Sequence, residues 1–163
     1  MQKVITITID GLTEPVSNNP FIAIGNEIKR KAELKESVRE ANFKIRNEFE
    51  KQISELQDYL HDKISAAGIP VGRSNTIYRD HGYDYANQQL VKNLYFNNGE
   101  QIIFKIHAEL MDVEGHKMYT GTYKTYYSNA RISDFDTYGS SIRWTEFAKT
   151  EELEQAIVKL LTD

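Results

Sequence analysis

The sequence predicts an α+β protein with an N-terminal strand, one very long amphipathic helix, an antiparallel β-meander of three to five strands and a short C-terminal amphipathic helix. Three observations predict this class. Apolar residues recur every three or four positions from Leu34 to Ala67, the apolar period changes to two after Gly68, and glycine turns separate the alternating runs. We expect one domain over residues 1–163, with the helix at 20–67, the sheet at 73–147 and the closing helix at 150–162.

The composition excludes several classes of protein. A chain of 163 residues is long enough to bury a core without disulfides, and its lack of cysteine excludes a thiol nucleophile and any cysteine-based metal site. The net charge of −4 argues against general electrostatic binding to nucleic acid. The first ten residues, "MQKVITITID", lack the apolar core of a signal peptide, and no apolar run is long enough to span a membrane. We therefore expect a cytoplasmic protein.

The start of the chain predicts a strand followed by a helix. The alternation in "VITITID" is typical of a half-buried strand. Asn19 before Pro20 predicts a helix N-cap with proline at the first helical position, although Gly25 leaves a restart at Asn26 as an alternative.

The helical signal that follows is a seam of ten apolar residues. They are Leu34, Val38, Ala41, Ile45, Phe49, Ile53, Leu56, Leu60, Ile64 and Ala67. Their mean spacing, 33 residues over nine steps or about 3.67, predicts a straight or slightly right-handed helix and not a leucine-zipper seam. Gly68, followed by Pro70, predicts the end of the helix.

The length of this helix predicts a partner. Unbroken from Ile24 to Ala67 it would measure about 66 Å, whereas a compact globule of this chain length has a diameter of roughly 40 Å. Either the helix breaks into a hairpin or its outer half packs on another chain. No proline or glycine lies between residues 26 and 67, which favours a homo-oligomer. Its predicted interface comprises Leu34, Val38, Ile45, Phe49, Ile53, Leu56 and Leu60.

Charge along the helix suggests how two copies would pair. Residues 27–46 carry a net charge of +3 and residues 48–62 a net charge of −4, which opposes the preference of the helix macrodipole. Antiparallel pairing would place opposite charges together at both ends. The alternative is a solvated helix face whose charge bias has no role.

The segments "NQQLVKNLYF", "QIIFKIHAELM" and "KMYTGTYKTYY" predict three strands joined by turns at Asn97-Asn98-Gly99 and Glu114-Gly115. A further, weaker strand pair, "ARIS" and "SSIRWTEF", flanks "DFDTYG". Thr150 then predicts the cap of a helix with an apolar face. That face comprises Leu153, Ala156, Ile157, Leu160 and Leu161.

The register of the meander decides whether it carries a cationic row. Two-residue turns in both hairpins would align Lys92, Lys105 and Lys124 across three strands, with His107 on the same face. Like charges directly opposite destabilise a sheet, so such a row would favour binding of an anion or nucleic acid. The alternative is a solvated face.

A three-residue Asn97-Asn98-Gly99 loop gives a different register. It would pair Leu94 with Ile102 and would remove Lys92 from the row.

Tyrosines concentrate in the third strand and predict a contact surface for a protein partner. They are Tyr119, Tyr123, Tyr126 and Tyr127. Exposed tyrosine gives much contact area at little entropic cost, although aromatic residues also simply make good strands. Because Tyr126 and Tyr127 are adjacent, their side chains face opposite sides of the sheet.

The segment "YRDHGYDYAN" places Asp80, His81 and Asp84 close together around a glycine. A polar turn is the favoured interpretation, and a ligand or phosphate pocket and a metal site are the alternatives. Asp134 and Asp136 in "SDFDTYG" are typical of turn chemistry as well. We expect no metal and no cofactor, because no phosphate-loop, zinc-protease or EF-hand motif occurs in the sequence.

Three functions follow from these features. The first is a non-catalytic binding or assembly protein that is oligomeric through the long helix and contacts another protein. The second is a binder of nucleotide or nucleic acid that uses the lysine and tyrosine face. The third is a small hydrolase-type enzyme that uses His81 or His107 with Asp80, Asp84 or Asp134.

In the order of its elements, and in no specific motif, the chain resembles small neck or tail-completion proteins of tailed phages. That resemblance implies a structural role in a virion, and the composition also suits an inhibitor of a host protein. The order of helix, meander and helix is also similar to that of a double-stranded-RNA-binding domain, but the basic helix start of that family is not visible here.

Overall fold

The computed structural model describes residues 19–74, 90–129 and 143–163. The elements in these ranges are helix α1 (Pro20–Ala66), strands β1 (Val71–Ser74), β2 (Val91–Phe96), β3 (Gln101–Val113), β4 (His116–Ser128) and β5 (Thr145–Phe147), and helix α2 (Thr150–Thr162). The α+β class with a long helix, an antiparallel sheet and a short closing helix is confirmed. The predicted N-terminal strand and the segment "ARIS" lie outside the described residues.

The chain divides into two compact units, Met1–Glu40 and Ala41–Asp163. No helix among the described residues is both long and apolar enough to cross a membrane.

Helix α1 runs unbroken for 47 residues, which corresponds to about 70 Å. The side chain of Asn19 accepts a hydrogen bond from the backbone N–H of Phe21 at 3.0 Å, so Asn19 is the N-cap and the alternative restart at Asn26 is wrong. Gly25 is accommodated inside the helix.

The end of α1 is a Schellman motif. Gly68 has a φ of +81°, its N–H donates to the carbonyl of Ser65, and the N–H of Ile69 donates to the carbonyl of Ile64. The helix therefore ends where the sequence predicts.

The five strands form one antiparallel sheet in the order β1-β2-β3-β4-β5. The meander is confirmed, but β1 was not predicted, because four residues are too few to show an alternating pattern. Leu94 pairs with Ile102, so the β2–β3 loop has three residues and the two-residue alternative is wrong. Glu114 and Gly115 have φ values of 49° and 87°, as a two-residue type I′ turn requires.

The core lies between one face of the sheet, here called the helix-side face, and the two helices. Buried residues of α1 and α2 pack there against alternate residues of the strands. They are Phe49, Ile53, Leu60, Leu153 and Ile157 from the helices, and Leu90, Leu94, Phe96, Ile102, Phe104, Ile106, Ala108, Tyr119 and Phe147 from the sheet region. The opposite face is here called the outer face.

Polar side chains of α1, one of them buried, fix the helix on the sheet. The side-chain amide of Gln57 donates to the backbone carbonyls of Ser74 and Asn93, at 3.2 and 2.9 Å. Farther along, the side chain of Asn42 donates to the carbonyl of Lys117 and accepts from the N–H of Tyr119.

The closing helix α2 begins at Thr150, and the residue before it, Lys149, makes no side-chain cap. The prediction that Thr150 is the cap is therefore off by one residue. Glu152 instead reaches back and accepts from the N–H of Ala148 at 3.0 Å.

Candidate functional site

The outer face is shaped by an irregularity in the β3–β4 hairpin. Near the turn, Met111 pairs with Met118 and Leu110 with Tyr119, but beyond a bulge Ala108 pairs with Tyr123. Two extra residues of β4 are thereby inserted opposite Glu109. Gly121 within the insertion has a φ of +90°, a conformation that favours glycine.

This bulge changes which side chains share a row. Lys105 pairs with Tyr126, and His107 pairs with Lys124. Lys105 and Lys124 are therefore not directly opposite, but they lie on the same face as His107. The predicted row of three lysines does not form, because the bulge shifts Lys124 by two positions and the three-residue β2–β3 loop places Lys92 on the other face.

Lys92 is separated from the other three residues. It pairs with Phe104 on the helix-side face, is 9% exposed, and forms an ion pair with Glu50 of α1 at 2.8 Å. The hydroxyl of Ser54 also donates to this carboxylate, at 3.4 Å. Lys92 therefore belongs to the contact between helix and sheet and not to a surface for anions.

The remaining cations form a cluster with aromatic rings, here called the basic-aromatic cluster: Lys105, His107, Lys124, Tyr126 and Trp144. The Nζ of Lys105 lies 4.3 Å from the centroid of the Trp144 ring and 5.8 Å from that of Tyr126. The rings of His107 and Tyr126 meet edge to face, with centroids 6.1 Å apart and planes at 82°. The cation–π contacts of Lys105 and the edge-to-face contact between His107 and Tyr126 are attractive.

A depression of about 430 Å³ lies beside this cluster. Its lining includes His107, Lys124 and Tyr126, and also Glu109 and Thr122. Tyr123 completes the lining, which thus offers two basic groups, one carboxylate, three hydroxyls and two tyrosine rings that can together hold a polar ligand.

The four tyrosines predicted as a partner surface are divided by the fold. Tyr119 is 3% exposed and packs edge-on against Phe49, so it belongs to the core and not to a surface. Tyr127 packs against Phe147 on the helix-side face. Tyr123 is 41% exposed but lies on the helix-side face, where its ring packs edge-on against Phe49 with centroids 5.1 Å apart. Of the four, only Tyr126 lies on the outer face, and it is half-buried.

The predicted oligomer seam is mostly covered by the chain's own sheet. Phe49, Ile53 and Leu60 are buried in the core, and Ile45 and Leu56 pack against it. Val38 is also buried and Leu34 half-buried. The prediction that these positions form an oligomer interface is therefore corrected for the five core positions, which pack against the sheet of the same chain. The sheet covers more turns of α1 than we expected from the length of the helix.

An exposed apolar surface lies earlier on α1. Phe21, Ile24 and Ile28 are 74%, 55% and 64% exposed. With the exposed small residues Gly25 and Ala32 they fall within an arc of about 100° on the helix surface. We call these five residues the N-terminal stripe.

Sequence reasoning missed this stripe, because the seam was read only from Leu34 onward. The spacing of i, i+3, i+4 and i+7 that begins at Phe21 was the signal that could have found it.

Two arginines in the first half of α1 pair with carboxylates of the same helix. Arg30 donates to Glu27 and Arg39 donates to Glu36, each with two nitrogen atoms of the guanidinium group. The hydrogen bond from Arg30 lowers the pKa of Glu27, and the bond from Arg39 lowers that of Glu36. In the second half of α1, Asp58 forms an ion pair with Arg73 of β1. These pairings leave fewer charges for the antiparallel pairing of whole helices that the sequence suggested.

Several predicted residues lie outside the described ranges. They are Asp80, His81, Asp84, Asp134 and Asp136. Within the described part of the chain, no group of three or more histidines and carboxylates is placed to hold a metal ion. His107 lies in the basic-aromatic cluster.

Comparison with protein-family models, with curated proteins and with solved structures finds no match to this chain. The two surfaces that could carry a function are the N-terminal stripe and the basic-aromatic cluster.

Proposed function

We propose that this protein is a non-catalytic binding and assembly protein that self-associates through the N-terminal stripe of α1. The observation that carries the proposal is the exposure of three large apolar side chains, Phe21, Ile24 and Ile28, on one face of a regular helix. Scattered exposed apolar residues are normal, but a continuous stripe at helical spacing is typical of an interaction surface.

A second copy of the chain is the occupant that the stripe fits. If two stripes pair antiparallel about an axis near Ile24 and Gly25, Phe21 of each copy lies beside Ile28 of the other. Gly25 has open space around its Cα, so it allows the two helix backbones to approach closely.

Charge substitution in the stripe tests the proposal. We expect sedimentation velocity at micromolar concentrations to show a dimer for the wild-type chain and a monomer for Ile24→Glu, because two carboxylates would be buried face to face. Ala23→Glu is the matched control, since Ala23 is exposed on the opposite side of the same turn, and it should leave the dimer intact.

Disulfide trapping tests the orientation. The chain has no cysteine, so a single introduced cysteine can cross-link only to its copy in another chain. Under mild oxidation, Gly25→Cys should form a covalent dimer and Ala23→Cys should not. Equal cross-linking of the two variants, or a wild-type chain that stays monomeric, would contradict the proposal.

A further inference from the structure

We propose that the basic-aromatic cluster binds a small phosphate-bearing ligand with a planar ring, the chemistry of a mononucleotide. The inference is independent of self-association, because every residue of the cluster lies on or beside the sheet and none on α1. It extends the role of the protein from assembly to recognition of a ligand.

The cationic part of the cluster favours an anion. His107 and Lys124 are direct cross-strand neighbours, a pairing that is unfavourable when both are protonated. In the described part of the chain, Lys124 forms no ion pair within 4 Å. A phosphate group between the two side chains would satisfy both, since lysine and histidine N–H groups donate strong hydrogen bonds to anionic oxygen.

The aromatic part favours a planar ring. The perpendicular rings of His107 and Tyr126 form a corner, in which a flat heterocycle can stack on one ring and meet the edge of the other. Lys105 is held over Trp144 at one side of this corner, so its ammonium adds positive charge next to the depression.

The size and charge of the site favour a small ligand over a nucleic-acid strand. The depression of about 430 Å³ lies within the range of small-molecule sites. Glu109 in the lining can accept hydrogen bonds from sugar hydroxyls, but it would repel a passing chain of phosphates. A strand would also need a longer cationic track than this acidic protein presents in the cluster.

Calorimetry and tryptophan fluorescence test the proposal directly. Trp144 is the only tryptophan in the sequence and belongs to the cluster, so its emission reports on the site alone. We expect adenosine monophosphate to release or absorb heat and to change this emission saturably. Inorganic phosphate and adenosine, used as separate probes, should each bind more weakly than the nucleotide that combines them.

Variants separate the two halves of the site. Lys124→Ala should weaken binding of adenosine monophosphate about tenfold or more, as expected for a lost charged hydrogen bond. Tyr126→Leu should weaken binding of the nucleotide while leaving that of inorganic phosphate unchanged. The matched control is Lys117→Ala, which removes an exposed lysine of the same strand that lies outside the cluster and pairs with Asp112.

Three results would overturn the proposal. The first is no heat and no change in emission at millimolar adenosine monophosphate. The second is an equal loss of affinity in Lys117→Ala and Lys124→Ala. The third is much tighter binding of a single-stranded oligonucleotide with a steep salt dependence, which would assign the surface to nucleic acid. Thermal unfolding of each variant checks folding, and Lys124→Gln replaces Lys124→Ala if the alanine variant is unstable.

Discussion

At the scale of single residues, polar side chains on α1 decide how the helix meets the sheet. The amide of Asn42 lies against the first half of β4, where it donates to the carbonyl of Lys117 and accepts from the N–H of Tyr119, at 2.9 and 3.0 Å. It therefore replaces the backbone of a neighbouring strand. Removing the side chain of Asn42 destabilises the fold, because the two backbone groups of β4 lose their hydrogen-bond partner.

The first prediction concerns this contact. Asn42→Ala should lower the free energy of unfolding by about 0.5–1.5 kcal/mol, since two backbone groups of β4 exchange a side-chain hydrogen bond for water. Urea unfolding measures the change. Asn47→Ala is the matched control, because Asn47 is exposed on the same helix and the substitution brings the same gain in helix propensity. Equal stability of the two variants would show that the contact contributes nothing.

The second prediction concerns the buried ion pair of Lys92 and Glu50. Glu50→Ala should destabilise the fold more than Lys92→Met, because it leaves a 9% exposed ammonium without its carboxylate. Glu50 is more exposed than Lys92, so we expect a loss toward the lower end of about 3–5 kcal/mol for Glu50→Ala. Lys92→Met keeps the apolar stem and should cost less. Chemical denaturation compares the two, and the reverse order of stability would contradict this account.

At the scale of elements, a polar contact joins the end of α1 to α2. The Nζ of Lys63 lies 2.9 Å from a carboxylate oxygen of Glu154, and the hydroxyl of Tyr59 donates to the same carboxylate at 3.1 Å. The hydrogen bond from Lys63 lowers the pKa of Glu154, and the reciprocal bond raises the pKa of Lys63. Both shifts favour the charged forms in the folded state.

The third prediction is the pH dependence that follows. A lowered folded-state pKa means that Glu154 contributes stability above its unfolded value, about 4.3, and that the contribution is lost as the pH falls through the folded value. Glu154→Gln should therefore be less stable than wild type at neutral pH, by under about 1 kcal/mol for so exposed a pair. This difference in stability between Glu154→Gln and wild type should disappear at acidic pH.

The control for this prediction is Glu55→Gln. Glu55 is exposed on α1 and has no ion-pair partner within 4 Å among the described residues, so its removal should not produce the same pH-dependent difference. Thermal unfolding as a function of pH measures both variants. A difference for Glu154→Gln that persists unchanged in acid would contradict the ion-pair explanation.

Local sequence signals predicted the type of each helix and strand, whereas they did not predict the register of β3 with β4. The cap at Asn19, the Schellman end at Gly68 and the three-residue loop at Gly99 are each specified by a few adjacent residues. The bulge opposite Glu109 depends on pairing between distant strands, and "TGT" around Gly121 was its only local sign. That is why Lys105, His107 and Lys124 could be assigned to one face but not to their rows.

At the scale of the whole molecule, the buried apolar seam and the N-terminal stripe lie in different parts of α1. The periodic residues from Ile45 to Ile64 face the chain's own sheet and form its core. The exposed large apolar residues before Leu34 are Phe21, Ile24 and Ile28, and Phe43 is a further exposed position on the same helix. The sequence showed that the helix was longer than a small sheet can cover, but it could not show which turns the sheet would cover, because that depends on tertiary packing.

The molar mass of the wild-type chain in solution, measured by light scattering across micromolar concentrations, tests the central claim most directly. The monomer has a mass of 18.9 kDa. We predict that the measured mass rises with concentration toward twice that value, and that Ile24→Glu stays at the monomer mass throughout. A wild-type mass that stays at 18.9 kDa over the whole range would contradict the proposal that the N-terminal stripe joins two copies of this protein.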